Sequence, residues 1–265
     1  MKILLKIAYK GTAYCGYQVQ PNGVTVQKML NEAAEALFGY PCDVVGCSRT
    51  DSGVHANAFC ATVAKKGEAD LSTSIPAERI PLAMSAHLPE DVCVFEARWV
   101  SDGFHPRYDV AEKEYVYRIF NRGVRSPFEE GLSCHVPRVI SEAEFARMQE
   151  AAKAFLGEHD FTSYMAQGSK ITDCVRRITL SELTREGDVI LYRVRANGFL
   201  YNMVRILTGT LLAVGEGKLT PADIPRITEA RDRSLAGITM PPHGLYLNRV
   251  IYPEECLSLD WEGRP

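Results

Sequence analysis

Gly46-Cys47-Ser48-Arg49-Thr50-Asp51-Ser52-Gly53-Val54-His55-Ala56 is the stretch on which the reading of this chain turns. It joins two short apolar runs of strand length, near 43–48 and 57–63, and reads as the tight connection between two strands. Its glycines, serines and threonine let the backbone bend and offer hydrogen bonds that keep a carboxylate ionised. The turn therefore presents Arg49 and Asp51 together. On spacing alone the commoner explanation is bland, because aspartate and glycine favour turns anyway.

Working outward, Ile3, Leu5 and Ile7 alternate with Lys2, Leu4 and Lys6, a strand over 2–9. Thr25 opens a helix in which Met29, Leu30, Ala33, Ala34, Leu37 and Phe38 recur at helical spacing, and Gly39 ends it. A helix near 76–87 starts at Pro76, and a strand covers 92–100. The order is β-α-β-β-α-β, and the second half repeats it. A strand is expected at 112–121. Ser141 with Glu144 forms a capping box ahead of Phe145, Met148, Ala152 and Phe155. Strands near 174–184 and 189–197 flank a turn at Arg185-Glu186-Gly187-Asp188. A helix at 200–214 and a strand at 245–252 follow, with an extra helix near 221–231 that Pro225 bends or delays. Two such units imply an α+β fold with the two sheets side by side, forming a continuous mixed/antiparallel sheet with helices on the outer face. The linker Ser101-Asp102-Gly103-Phe104-His105-Pro106 divides the chain into 1–103, carrying the Asp51 loop, and 104–265.

Composition bounds the function more loosely. Hydrophobic residues make up 46% and charged residues 24% of the 265, the balance of a soluble globular protein. No run reaches the roughly 20 apolar residues of a membrane-spanning helix, so no membrane partner is expected. The eight cysteines show no C-x-x-C pair and no Cys/His cluster, which argues against metal and for reduced thiols in a cytoplasmic protein. The net charge of -3 neither supports nor excludes a nucleic-acid partner, because charge is uneven. Glu254, Glu255, Asp260 and Glu262 crowd the tail, while Arg176, Arg177, Arg185, Arg193, Arg195 and Arg205 share one stretch.

Two other chemistries can be weighed. Asp51-Ser52-Gly53 looks like one half of an aspartic protease site, but that chemistry needs two carboxylates sharing a proton. No second Asp-Ser/Thr-Gly exists here: Asp102 precedes Gly103 directly, and Asp188 precedes Val189. Gly215-Glu216-Gly217-Lys218 fails as a phosphate loop, with Leu212 where its first glycine belongs and Leu219 in place of Ser or Thr.

The run Arg49-Thr50-Asp51-Ser52-Gly53-Val54-His55 resembles the hallmark of the TruA family of tRNA pseudouridine synthases. Further pieces follow in that family's order along nearly the whole chain. Tyr9-Lys10-Gly11, Tyr14-Cys15-Gly16-Tyr17-Gln18 and Thr25-Val26-Gln27 come first. Phe104-His105-Pro106-Arg107-Tyr108, Lys113-Glu114-Tyr115-Val116-Tyr117-Arg118 and Gly157-Glu158-His159-Asp160-Phe161 follow. Phe199-Leu200-Tyr201-Asn202-Met203-Val204-Arg205 and Pro242-His243-Gly244-Leu245-Tyr246-Leu247 complete the pattern. Lys10, Tyr17, Ser48 and Ser52 depart from it, where the family usually has Asp, Trp, Gly and often Ala.

The resemblance implies a pseudouridine synthase fold and the isomerisation of uridine to pseudouridine at positions 38 to 40 of the tRNA anticodon arm. It implies a homodimer that binds tRNA across both subunits, and no cofactor, which suits a reaction without net redox change or group transfer. It makes Asp51 the essential carboxylate, either nucleophile or base. Arg49 is expected to fill the gap left by the flipped base, Tyr115 to stack on the target uracil, and Arg205 to pair with Asp51 from an apolar helix. Tyr117 shares the face of Tyr115 on its strand and is expected to line the site with it. His55, His105 and Arg107 are expected along the RNA groove. A catalytically inactive tRNA-binding or tRNA-folding protein of the same fold is the alternative.

Overall fold

The computed structural model describes residues 1–257 apart from 69 and 170; Asp260 and Glu262 of the acidic tail lie outside them. In chain order the elements are β1 (Lys2–Tyr9), α1 (Val26–Phe38), β2 (Cys42–Gly46), β3 (His55–Lys65), α2 (Ile80–Ser85) and β4 (Val92–Val100). They continue with β5 (Glu112–Phe120), β6 (Cys134–His135), α3 (Glu142–Lys153), β7 (Gly157–Asp160), β8 (Val175–Glu186) and β9 (Val189–Ala196). Next come α4 (Met203–Gly215), α5 (Asp223–Ala230), β10 (Leu245–Ile251) and α6 (Glu254–Leu257). The β-α-β-β-α-β order holds in both halves, with β6, β7, α5 and α6 added to the second. None of the described helices is long and apolar enough to cross a membrane.

Residue contacts gather the chain into two compact units, Met1–Ala111 with the stretch from Leu247, and Glu112–Tyr246. Residues 104–111 and most of β10 therefore fold with the first unit. Tyr252 donates its hydroxyl to the Pro106 carbonyl at 2.7 Å, and the Ala111 N–H donates to the Ile251 carbonyl at 2.9 Å.

In the first unit the strands run β4-β1-β3-β10, with β2 also paired to β3. β1 is antiparallel to both neighbours, Leu5 facing Ala61 on β3 and Ala97 on β4. Ile3, Leu5 and Ile7 are wholly buried, as their alternation requires. α1 has the ends its sequence specifies. The Thr25 side chain accepts the Lys28 N–H, Gly39 takes the left-handed conformation (φ 77°), and Val26, Leu30, Ala33 and Ala34 fill the core. Its polar side serves β2: Asn31 Oδ1 accepts the Val44 N–H at 3.1 Å, and Gln27 Nε2 donates to the Val44 carbonyl at 2.8 Å. The helix expected near 76–87 is a 3-10 turn, Ala77–Arg79, followed by α2. Pro81, which has no N–H to give, falls in the first turn of α2, where that donor would have no partner.

In the second unit the order is β5-β9-β8-β7, antiparallel throughout, with short β6 parallel to the end of β5. The turn expected over Arg185–Asp188 is tighter: β8 runs through Glu186, leaving Gly187-Asp188 with Gly187 at φ 59°. A two-residue turn with a left-handed first residue matches strand twist better than a four-residue loop. α4 is buried on nearly every side, and Thr208 and Thr210 satisfy their hydroxyls on the carbonyls of Val204 and Ile206, both at 2.8 Å. Gly209 lies under the backbone of Ile238, so closely that any side chain would strike that carbonyl. Pro225 stands in the first turn of α5, so it delays the helix without breaking it.

The capping box of α3 is complete. Glu144 Oε2 accepts the Ser141 N–H at 2.8 Å, and Oε1 meets Arg138 at 2.9 Å. The Ser141 backbone N–H, then Arg138, then the Ser141 hydroxyl hold its carboxyl down at about 2. A depressed carboxyl gives stability that is complete above its unfolded value and lost as pH falls through the folded one. The melting midpoint of Glu144→Gln is therefore expected to lie below the parent's at pH 7, with the gap closing between pH 4.5 and about 2. A gap of constant size down to pH 2 would contradict this origin.

Candidate active site

The Asp51 loop is the connection between β2 and β3, closed at its base by the Cys47 N–H on the Cys60 carbonyl at 2.8 Å. Its tip is a β-turn. The Val54 N–H donates to the Asp51 carbonyl at 3.1 Å, and Gly53 supplies φ 80° at the third position, the requirement of a type II turn. Asp51 is half-buried, Arg49 exposed and Thr50 buried.

The segment from Tyr9 to Tyr17 grips this loop. The Tyr9 hydroxyl shares a buried hydrogen bond with Thr50 Oγ1 at 2.8 Å. The Tyr17 N–H donates to the Thr50 carbonyl at 3.1 Å, and Ser52 Oγ donates to the Tyr14 carbonyl at 3.1 Å. Gly11 and Gly16 let two backbones touch: a Cβ on Gly11 would come within 2.6 Å of the Val54 carbonyl carbon, and one on Gly16 within 2.5 Å of the Thr50 carbonyl oxygen. Gly46, at the end of β2, lies against the Tyr17 ring, which itself stacks on Phe59 at 4.3 Å. These tyrosines and glycines belong to the site as supports, though nothing in their spacing announces it. Beyond their place in the family pattern, the local signal is three tyrosines and two glycines in the nine residues from Tyr9, the last of β1, to Tyr17.

His55, expected in the RNA groove, is enclosed instead. It is 1% exposed, and its Nδ1 accepts the Gly11 N–H at 3.0 Å, so it fastens the loop from inside. His105 and Arg107 do come together with Arg49. All three line a depression of about 170 Å³ with Tyr17, Gln18, Ser48 and Tyr108. Asp109 accepts the His105 N–H at 2.8 Å, and His105 Nδ1 accepts the Arg107 N–H at 3.1 Å, which fixes the turn that displays Arg107.

In the second unit Tyr115 and Tyr117 sit on β5 opposite Val194 and Tyr192 of β9. Tyr115 is 7% exposed and meets Phe199 edge-on at 5.0 Å. Tyr117 departs from the expectation of a site-lining residue. It is wholly buried, donates to the Pro241 carbonyl at 2.7 Å, and has Gly244 against its ring. Burial also pushes its hydroxyl well above the usual phenol range. Arg205 lies in the first turn of α4, half-buried, with Nε on the Met240 carbonyl and a terminal nitrogen on Asn202 Oδ1, both at 2.6 Å. Asn202 adopts φ 58° at the helix cap, which brings its amide back to the guanidinium.

A family model described as tRNA pseudouridine synthase matches residues 151–253. The tRNA pseudouridine synthase A of Caldicellulosiruptor saccharolyticus is 42% identical over 250 residues, spanning 94% of this chain and 99% of that protein. The chain belongs to the tRNA pseudouridine synthase A family. That of Exiguobacterium sp. is 41% identical over 251 residues, 95% and 98% of the two chains, and that of Bacillus pumilus 41% over 257 residues, 95% and 99%.

For a tRNA pseudouridine synthase A family member, the arginine-rich stretch is less available than its sequence suggests. Arg195 is paired with buried Glu114 at 3.0 Å, Arg193 with Glu182 at 3.3 Å, and Arg185 with Glu142 at 2.5 Å. Arg176 turns back on the carbonyls of Asp173 and Val175. Arg49 and Arg107, by contrast, form no ion pair among the described residues. No disulfide joins the cysteines among the described residues, and Cys42, Cys47, Cys60, Cys134 and Cys174 are buried. Burial raises the Cys42 thiol to about 11, which keeps it protonated and inert near neutral pH.

Proposed function

We propose that this chain isomerises uridine to pseudouridine in tRNA, with Asp51 as the reacting carboxylate. The observation that carries the proposal is the loop itself. A half-buried aspartate stands on a type II turn held by Tyr9, Gly11, Tyr14 and Tyr17, in a chain 42% identical to a protein named tRNA pseudouridine synthase A. The reaction breaks the bond from ribose C1′ to N1, turns the base, and joins C5 to C1′. The proton leaving C5 is balanced by one gained at N1, so the protein must supply position, charge and proton traffic. Asp51 acts as nucleophile or as base. Arg49 occupies the place of the flipped nucleotide, for which an exposed planar cation without an acidic partner among the described residues is suited. Tyr115 stacks on the uracil, and Arg205 completes the proposed catalytic set with Asp51.

The substrate positions are uridines 38 to 40 of the anticodon arm, and the working species is a cytoplasmic homodimer that engages one tRNA with both subunits. Incubation with tRNA carrying 5-tritiated uridine is expected to release tritium, and sequencing of the treated RNA to place the modification at 38–40. Tight tRNA binding with no release by the parent protein would leave the catalytically inactive alternative standing.

Arg205→Met is expected to lower kcat by on the order of 100-fold, the scale of one lost charged group in a reacting site, and to change tRNA affinity far less. Arg205→Lys does not rescue it, because separate guanidinium nitrogens hold the Met240 carbonyl and Asn202. An effect confined to affinity would assign Arg205 to the RNA-binding surface.

A further inference from the structure

We infer that Tyr108 is a stacking platform for one unpaired base of the RNA substrate, with Arg49 and Arg107 holding the phosphates beside it. The inference rests on the proposed action on tRNA and adds a nucleotide subsite next to the Asp51 loop. Tyr108 is 74% exposed, an unusual place for a tyrosine ring that has a firm backing. His105 supplies the backing, its ring centroid 4.3 Å from that of Tyr108 at an interplanar angle of 31°. The Arg107 guanidinium lies 5.9 Å from the ring centre. The ring is thus oriented in advance, because the Tyr108 N–H and the Asp109 N–H both donate to the His105 carbonyl at 3.2 and 3.1 Å.

The surroundings fit a nucleotide and suit a protein partner poorly. Tyr108, Arg107 and Arg49 line one depression with Gln18 and Ser48, which offer an amide and a hydroxyl at its wall. Two guanidiniums without acidic partners among the described residues make this depression cationic, which favours an anion as its occupant. Phosphates are such anions, spaced along a strand whose bases have flat faces for an aromatic ring. Base recognition in RNA falls chiefly on unpaired nucleotides stacked on aromatic side chains and arginine planes. The loop of an RNA hairpin offers such nucleotides, whereas a base-paired stem offers its backbone.

The test uses the full chain with tRNA and with an anticodon-arm hairpin carrying 2-aminopurine at one unpaired position at a time. Tyr108→Ala is expected to raise KM and Kd about tenfold, within the range for one lost stacked base, with kcat falling less. Tyr108→Phe is expected to restore affinity, since stacking requires the ring and not the hydroxyl. Fluorescence quenching on binding should appear at one 2-aminopurine position with the parent and Tyr108→Phe, and be absent with Tyr108→Ala. Equal affinity of Tyr108→Ala and parent would overturn the platform, as would a Tyr108→Phe variant as weak as Tyr108→Ala. A parent that releases no tritium marks failure of the proposed reaction; a parent that turns over beside an unimpaired Tyr108→Ala marks failure of the platform alone.

Discussion

Asp51→Asn is expected to abolish tritium release from 5-tritiated tRNA while tRNA binding persists. The substitution is nearly isosteric, and the turn that carries residue 51 is closed by its backbone carbonyl, which asparagine keeps. The rest of the loop is held through Thr50, Ser52 and His55, none of which is altered. What disappears is the negative charge and the lone pair that can attack carbon or take a proton. General-base action alone is worth up to roughly 10⁴-fold, and covalent participation makes the loss greater. The measurement is tritium release over hours at saturating tRNA, beside a binding titration of the same preparation. Turnover within a few-fold of the parent's would remove Asp51 from the chemistry.

Gly11→Ala is expected to produce the next largest loss, although residue 11 carries no functional group. Its Cβ would press on the Val54 carbonyl, a backbone atom of the Asp51 turn that cannot swing aside. The loop must move or the Tyr9–Tyr17 segment must, and either motion breaks the Gly11 N–H bond to His55. Displacing a reacting group by about 1 Å costs on the order of 100-fold in rate. Overpacking of this kind also costs about 1–3 kcal/mol of stability. Gly103→Ala is the control, since nothing lies within 4 Å of a Cβ there. Equal kcat and melting midpoint for the two variants would show that the loop does not depend on this contact.

Much of the architecture was legible because local signals and burial agree. Thr25 and Gly39 mark both ends of α1, Ser141 and Glu144 mark the start of α3, and the alternation in β1 matches its burial apart from Leu4, which is buried on the opposite face. β7 was not legible as a strand, because Gly157-Glu158-His159-Asp160 has no apolar alternation; it forms by pairing with β8 at the sheet edge. The site was legible in part for a similar reason. Asp51 and Arg49 are two residues apart in sequence, whereas His105 and Arg107 reach the depression that Arg49 lines only through the fold. His55 and Tyr117 were misplaced because a residue's chemistry does not say which way its loop or strand faces. The clamp on the loop was silent as well: where two backbones touch, the sequence records only a glycine.

The amides of Gln27 and Asn31 on Val44 have a bearing on the chain's life in a crowded cell. β2 has β3 as its strand partner, and its other flank would present main-chain donors and acceptors to any passing extended peptide. Here helix side chains occupy the N–H and the carbonyl of Val44, at the middle of that flank. A strand arriving from another molecule finds no ladder to extend. The hairpin that bears the Asp51 turn is thereby guarded against templated aggregation along that flank of β2.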